Sequence, residues 1–176
     1  MIAITHQMFG LTFGLIAILF LQLFRFTPSG WLDTILFLTL VLFGSLLPDL
    51  DTPHSKLGRK FWPISFVISL FVKHRTATHS LLFLGIVLVI SGIVCFSLRL
   101  SFIYTLAIGI GTFSHLLGDW LTKSGVPFLY PFKKDRFKAP FTFKTNSFKE
   151  KMLCLALIGF NILLFLLYSS SPWLLN

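Results

Sequence analysis

Apolar residues fall in five long blocks along the chain, Met8 to Phe24, Trp31 to Leu47, Leu81 to Leu98, Phe102 to Leu117 and Met152 to Tyr168. Each is roughly 16 to 18 residues long before its flanks are added, close to the ~20 that a helix rising 1.5 Å per residue needs to cross a hydrocarbon core. The pattern predicts five membrane-spanning helices. A sixth block, Phe61 to Val72, is shorter, begins with Trp62 and Pro63 and has basic residues on both sides, so it suits a re-entrant or interfacial segment. No repeat, low-complexity segment or linker divides the chain. The expected fold is therefore all-α, a polytopic membrane helical bundle forming a single domain over residues 1–176.

Composition agrees with the pattern: 55% of residues are hydrophobic, only 12% are charged, and phenylalanine occurs 22 times. The N-terminal segment has neither a basic region nor a small-residue cleavage site, so the first span is expected to be retained. If the five spans alternate, only Arg25 and Arg99 of the 15 Lys and Arg residues lie on the far side, leaving 13 on the side of the N-terminus. Basic loops stay in the cytoplasm, which predicts the N-terminus inside and the C-terminus outside. The net charge of +9 is then a topology signal with some attraction to anionic lipid, and nucleic acid is not an expected partner. Cys95 and Cys154 fall near opposite membrane faces, where they serve as packing residues.

Against this background the rare polar groups are placed unevenly. His6, Asp49, Asp51, His54, His74, His79, His115, Asp119 and Glu150 all fall at the cytoplasmic ends of spans, and the outer ends hold Asp33 alone among the acids. Polar residues belong at span ends, but topology is indifferent to Asp and Glu, so the one-sided placement argues for a site. In "SHLLGDW" His115 and Asp119 lie one helical turn apart, about 40° around the axis, and could chelate one ion. In "LLPDLDTPHS" Pro48 ends the second span, and the close pair Asp49 and Asp51 would repel without a cation between. In "KHRTATHSLL" His79 opens the third span, with His74 and Arg75 one turn earlier; Arg75 suits an anionic oxygen. A lone His6 is a weaker candidate, His54 suits a surface turn, and Glu150 is favourable at a helix start whether or not it binds a metal. The mixed His and carboxylate set favours a divalent metal, zinc first and manganese second.

The order of His6 with Gly10, then "PDLD", "HRTATHS" and "SHLLGDWLTKSGVPFLYPF" resembles the bacterial inner-membrane metal-dependent hydrolase family, also described as LexA-binding, inner membrane-associated hydrolases. The resemblance runs from His6 to about Glu150. It implies a multi-pass protein of the bacterial inner membrane and metal ligands at His6, Asp49, Asp51, His79, His115 and Asp119, and it raises Glu150 as a further one. The LexA of the family name concerns gene control, and no residue here points to DNA. The order of histidines and aspartates is also similar to that of zinc-dependent phospholipase C, including its H-x-x-x-D helix.

The expected function is hydrolysis, at the cytoplasmic face, of a lipid or other membrane-associated substrate, with a phosphoester as the preferred bond. In that scheme Asp49 or Asp51 bridges metals or accepts a water proton, His74 donates a proton to the leaving group, and Arg75 with nearby lysines holds a phosphate. The apolar flanks Phe61 to Val72 and Phe128 to Phe132 would admit an acyl chain. The alternative is an ion or metal transporter using the same cluster. A transport path needs polar residues through the bilayer, and the span interiors offer little beyond Gln22, Ser91 and Asn161.

Overall fold

The structure is a computed structural model that describes residues 1–24, 26–72 and 74–170; Arg25 and the end at Asn176 lie outside the described residues. It is all-α, with seven helices and no strand among those residues: α1 (Ala3–Gln22), α2 (Trp31–Gly44), α3 (Lys56–Lys60), α4 (Trp62–Phe71), α5 (Leu81–Ser97), α6 (Ile103–Trp120) and α7 (Phe148–Ser169). Each apolar block of the sequence is a helix. Two of them, α1 at 20 residues and α7 at 22, are long and apolar enough to cross a membrane by length and composition. Helices α2, α4 and α5 are apolar but shorter.

Helix α6 is the centre of the bundle and packs on α1, α2 and α5, while α7 backs onto α1. The α2–α6 crossing is close because Gly111 has no side chain: a Cβ there would lie 2.1 Å from the Val41 carbonyl oxygen. Small and hydroxyl residues line the inside, as they do where helices pack without a hydrophobic driving force between them. Thr12 donates to Asn161 at 2.7 Å to tie α1 to α7, and Thr34 meets the Tyr168 hydroxyl at 2.7 Å to tie α2 to α7. These sit beside an apolar cluster of Ile18, Phe37, Val41, Ile103 and Ala107. The outside is apolar as well, with Leu32, Ile90, Phe96 and Leu155 all more than half exposed, which suits a hydrocarbon surrounding.

Between α2 and α5 the chain makes a 3₁₀ turn, Leu47–Asp51, because Pro48 cannot continue the helix. Helix α3 follows, capped by Ser55, whose hydroxyl accepts from the Gly58 amide at 2.8 Å. The Phe61–Val72 block forms α4, which buries Ser65 alone among its ten residues and leaves Trp62, Phe66 and Leu70 exposed. An apolar helix that buries so little belongs at a lipid interface or within it. Residues 121–147 form an irregular cap over the same end of the bundle, fastened by isolated bridges between Thr122 and Phe143 and between Val126 and Phe137.

Candidate metal centre

Three parts of the chain meet beneath that cap: the first turn of α1, the turns on either side of α3 and α4, and the last turn of α6. Position 6 was expected just ahead of the first span. His6 instead lies inside α1 and is fully buried, its ring stacked on His115 with centroids 3.7 Å apart. The absence of a side chain at Gly118 permits this, since a Cβ there would come within 3.2 Å of His6 Nδ1.

The Leu47–Asp51 turn separates its two aspartates. At three residues per turn, positions two apart point in different directions. Asp49 turns towards the histidines, with Oδ1 3.6 Å from His79 Nε2 and 3.7 Å from His115 Nε2. Burial opposes its ionisation, and positive charge among His115, His79 and His6, whether carried by protons or by a metal ion, would hold the carboxyl below the usual carboxylate range. Asp51 turns the other way, and its oxygens are already in use: it accepts from His74 Nδ1 at 2.7 Å, from Thr52 at 3.0 Å, from the Arg75 amide at 3.3 Å and from the Thr78 hydroxyl. Burial again opposes ionisation, and the hydrogen bonds from His74 and Thr78 keep this carboxyl low.

These partners determine which nitrogens face the centre. Thr78 gives its proton to Asp51, so its oxygen accepts from His79 Nδ1 at 3.0 Å. In a neutral imidazole this leaves His79 Nε2 as a bare acceptor. His115 Nδ1 donates to the Ser45 carbonyl at 2.7 Å, and its Nε2 is bare in the same way. The two bare nitrogens lie 3.3 Å apart with both residues fully buried. Facing lone pairs at that distance repel, and a cation between them, a proton or a metal ion, removes the repulsion.

The separations fit a metal. Donors around a tetrahedral zinc ion, with bonds of about 2.0–2.1 Å, lie about 3.3 Å apart. His79 Nε2, His115 Nε2 and Asp49 Oδ1 form a triangle with edges of 3.3, 3.6 and 3.7 Å, and Asp119 Oδ2 lies 3.6 Å from His79 Nε2. Among the described residues three overlapping donor sets arise: His6 with Asp49 and His115, Asp49 with His74 and His79, and His79 with His115 and Asp119. Both nitrogens of His6 are buried without a hydrogen-bond partner, and its Nε2 is 3.2 Å from Asp119 Oδ1.

Arg75 enters from the rim, 3.2 Å from Asp119 Oδ2, with its backbone in the left-handed region at φ 61°. For a residue that is not glycine this conformation is unfavourable, and the Arg75 amide bond to Asp51 helps to hold it. The Met1 amine also reaches Asp119 Oδ1. His74 is the outermost member, with its side chain 44% exposed. His54 is exposed and belongs to none of the three sets.

Glu150 is fully buried but stands apart from the three donor sets, and its oxygens accept from the Ile2 amide at 2.7 Å and the Asn146 amide at 2.5 Å. It joins the start of α1 to the start of α7. Ser147, three residues before it, caps α7 by accepting from the Glu150 amide, and that S-x-x-E spacing marks a helix start. Sequence reasoning missed Thr78, Thr52 and the Ser45 carbonyl. Threonines and a main-chain oxygen carry no motif of their own, and only their position beside the ligands reveals them.

The chain is 38% identical to the Bacillus subtilis (strain 168) protein YvsG over 110 residues, 62% of this chain and 66% of that protein. It is 37% identical over 125 residues to the inner membrane protein YdjM of Escherichia coli (strain K12), covering 66% of this chain and 60% of that one. A shorter likeness, 38% over 65 residues, joins it to the protein ORF4′ of Methanothermobacter thermautotrophicus, covering 36% of this chain and 27% of that protein. The aligned part thus spans slightly less than two thirds of the first two relatives' own length. No solved structure matches. The profile of the YdjM inner membrane proteins, the LexA-regulated family that the ordered motifs resemble, matches residues 1–175, and the chain belongs to that family.

Proposed function

We propose that the protein is a metal-dependent hydrolase of the bacterial inner membrane, built as five spans with the N-terminus in the cytoplasm, and that it cleaves a phosphoester in a lipid or other membrane-associated substrate. The observation that carries the reading is the pair of bare nitrogens, His79 Nε2 and His115 Nε2, converging with Asp49 Oδ1 at the spacing of zinc ligands. His79, His115 and Asp49, with Asp119 or His6, would hold the ion. A divalent ion there supplies Lewis acidity, lowering the pKa of water from ~15.7 towards ~7 and polarising the oxygen of the scissile bond.

The chain's own residues do the rest. Asp51 orients His74 and, through Thr78, His79, so that the ligand nitrogens point inward without reorganisation. His74, on the open side and backed by Asp51, is the group placed to hand a proton to a leaving oxygen. The Arg75 guanidinium is placed to pair with an anionic phosphoryl oxygen. Asp119 now holds it from the other side. Buried walls around His6, His115 and Asp119 exclude bulk water and strengthen these interactions.

The test is elemental analysis and turnover on one preparation. Purified protein is expected to retain at least one equivalent of zinc or manganese and to release products from a panel of phospholipids and lipid phosphates in liposomes. Metal-free protein that also ignores added zinc and manganese overturns the reading. Metal movement across liposomes without turnover would favour a transporter instead.

A further inference from the structure

Between α2, α5 and α6 lies an apolar groove of about 530 Å³, within the ~300–1,000 Å³ of ordinary ligand sites. Leu40, Phe43, Phe83, Ile90 and Ile108 line it. Its two polar wall residues use their hydroxyls elsewhere: Ser91 donates to the Val87 carbonyl at 2.7 Å and Tyr104 donates to Asp33 at 2.9 Å. The groove therefore suits hydrocarbon and would leave a polar group unsatisfied.

Its position distinguishes it from an ordinary crevice between helices. One end is formed by Leu47 and Phe83. Leu47 opens the turn that carries Asp49 two residues later, and Phe83 stands in the first turn of α5, just after His79 and Ser80. Two residues of chain reach at most ~7 Å, so this end abuts the metal centre. The far end is at Cys95 and Leu100. From Phe83 to Cys95 the groove follows ~18 Å of helix, slightly more than half of a ~30 Å hydrocarbon core. That is the depth of one leaflet, with the His and Asp cluster and Arg75 at the end where a head group would sit.

We propose that this groove seats one acyl chain of a lipid ending in a phosphomonoester, whose head group reaches the metal centre; the assignment rests on the hydrolase reading above. It places the chain between α2, α5 and α6 rather than along the Phe61 to Val72 or Phe128 to Phe132 flanks. Lipid specificity then arises from two contacts at once, an apolar track for the chain and a cationic, metal-binding end for the phosphate. A free phosphate ester would have only the second.

The experiment reads occupancy. Full-length protein in phosphatidylcholine vesicles receives phosphatidate carrying a mid-chain diazirine, and the cross-links are mapped by mass spectrometry. Label is expected at Ile90 and Val94 about tenfold above Leu155 and Leu163, equally lipid-facing positions on α7, a preference of ~1.4 kcal/mol. Unlabelled phosphatidate should displace it and added phosphatidylcholine should not. Ser91→Phe fills the middle of the groove and should remove most of the label while bound metal stays unchanged; Ile86→Trp, at an exposed wall position, gives the same reading should Ser91→Phe not fold. Equal labelling of α5 and α7, or equal displacement by both lipids, means ordinary boundary lipid and overturns the proposal. So does an intermolecular disulfide formed through Ile90→Cys, which would make the groove an interface between copies. Turnover is read separately on the same preparation, so specific groove labelling without hydrolysis overturns only the hydrolase reading, and hydrolysis without specific labelling overturns only the acyl-chain site.

Discussion

His79 and His115 turn their Nε2 atoms towards each other at 3.3 Å, although they are 36 positions apart and belong to a 3₁₀ turn and a long helix. Each is held in that pose from behind, His79 by Thr78 and His115 by the Ser45 carbonyl. Two buried acceptors kept face to face by other hydrogen bonds form an arrangement that a cation stabilises.

His79→Ala, His115→Ala and Asp49→Ala should each lose most of the bound metal, because each removes a donor from a small chelate. His54→Ala, at an exposed position outside the donor sets, should keep it. Zinc and manganese content after gel filtration measures this. Retention of metal by all three variants would place the ion elsewhere.

Asp51→Asn should act through the ligands it orients. The amide keeps the size of the carboxylate but offers one acceptor oxygen where His74, Thr52, Thr78 and the Arg75 amide now share two. Zinc affinity is expected to fall roughly 10–100-fold, the usual cost of losing such a partner, and turnover should fall with it. Thr78→Val should shift affinity in the same direction, since it breaks the link from Asp51 to His79. Chelator competition gives both constants, and an unchanged affinity in both variants would show that the link does not orient His79.

Glu150→Gln should behave differently. Its carboxylate joins Ile2 and Asn146, so the variant weakens two charge-assisted bonds and lowers stability by about 1–3 kcal/mol without changing metal stoichiometry. Thermal unfolding in detergent, run beside metal analysis, separates the effects. Loss of metal from a well-folded Glu150→Gln protein would return Glu150 to the ligand set.

A reporter fused after Asn176 is expected outside the cytoplasm, and one inserted near Lys134 inside, from the placement of basic residues across alternating spans. The opposite sidedness would move the metal centre to the far face. A result showing both reporters on one side would mean an even number of spans between them and would end the five-span reading.

Much was legible in the chain because the signals were local. Helix positions follow from apolar runs and their Pro, Gly and Ser boundaries, and the pairing of His115 with Asp119 follows from helix periodicity. The division of labour between Asp49 and Asp51 was not legible: two carboxylates in one short motif look equivalent until a 3₁₀ turn sends one to the histidines and the other to Thr78 and His74. Glu150 illustrates the same limit, since an acid at a helix start reads alike as ligand or clamp until the backbone amides of Ile2 and Asn146 arrive beside it. The chain alone determined which residue types gather at one end of the bundle, because helix boundaries depend on neighbours in sequence. Tertiary structure decided which nitrogens are left bare and which oxygens are already taken, because hydrogen bonds saturate and their partners come from residues 70 and even 148 positions away.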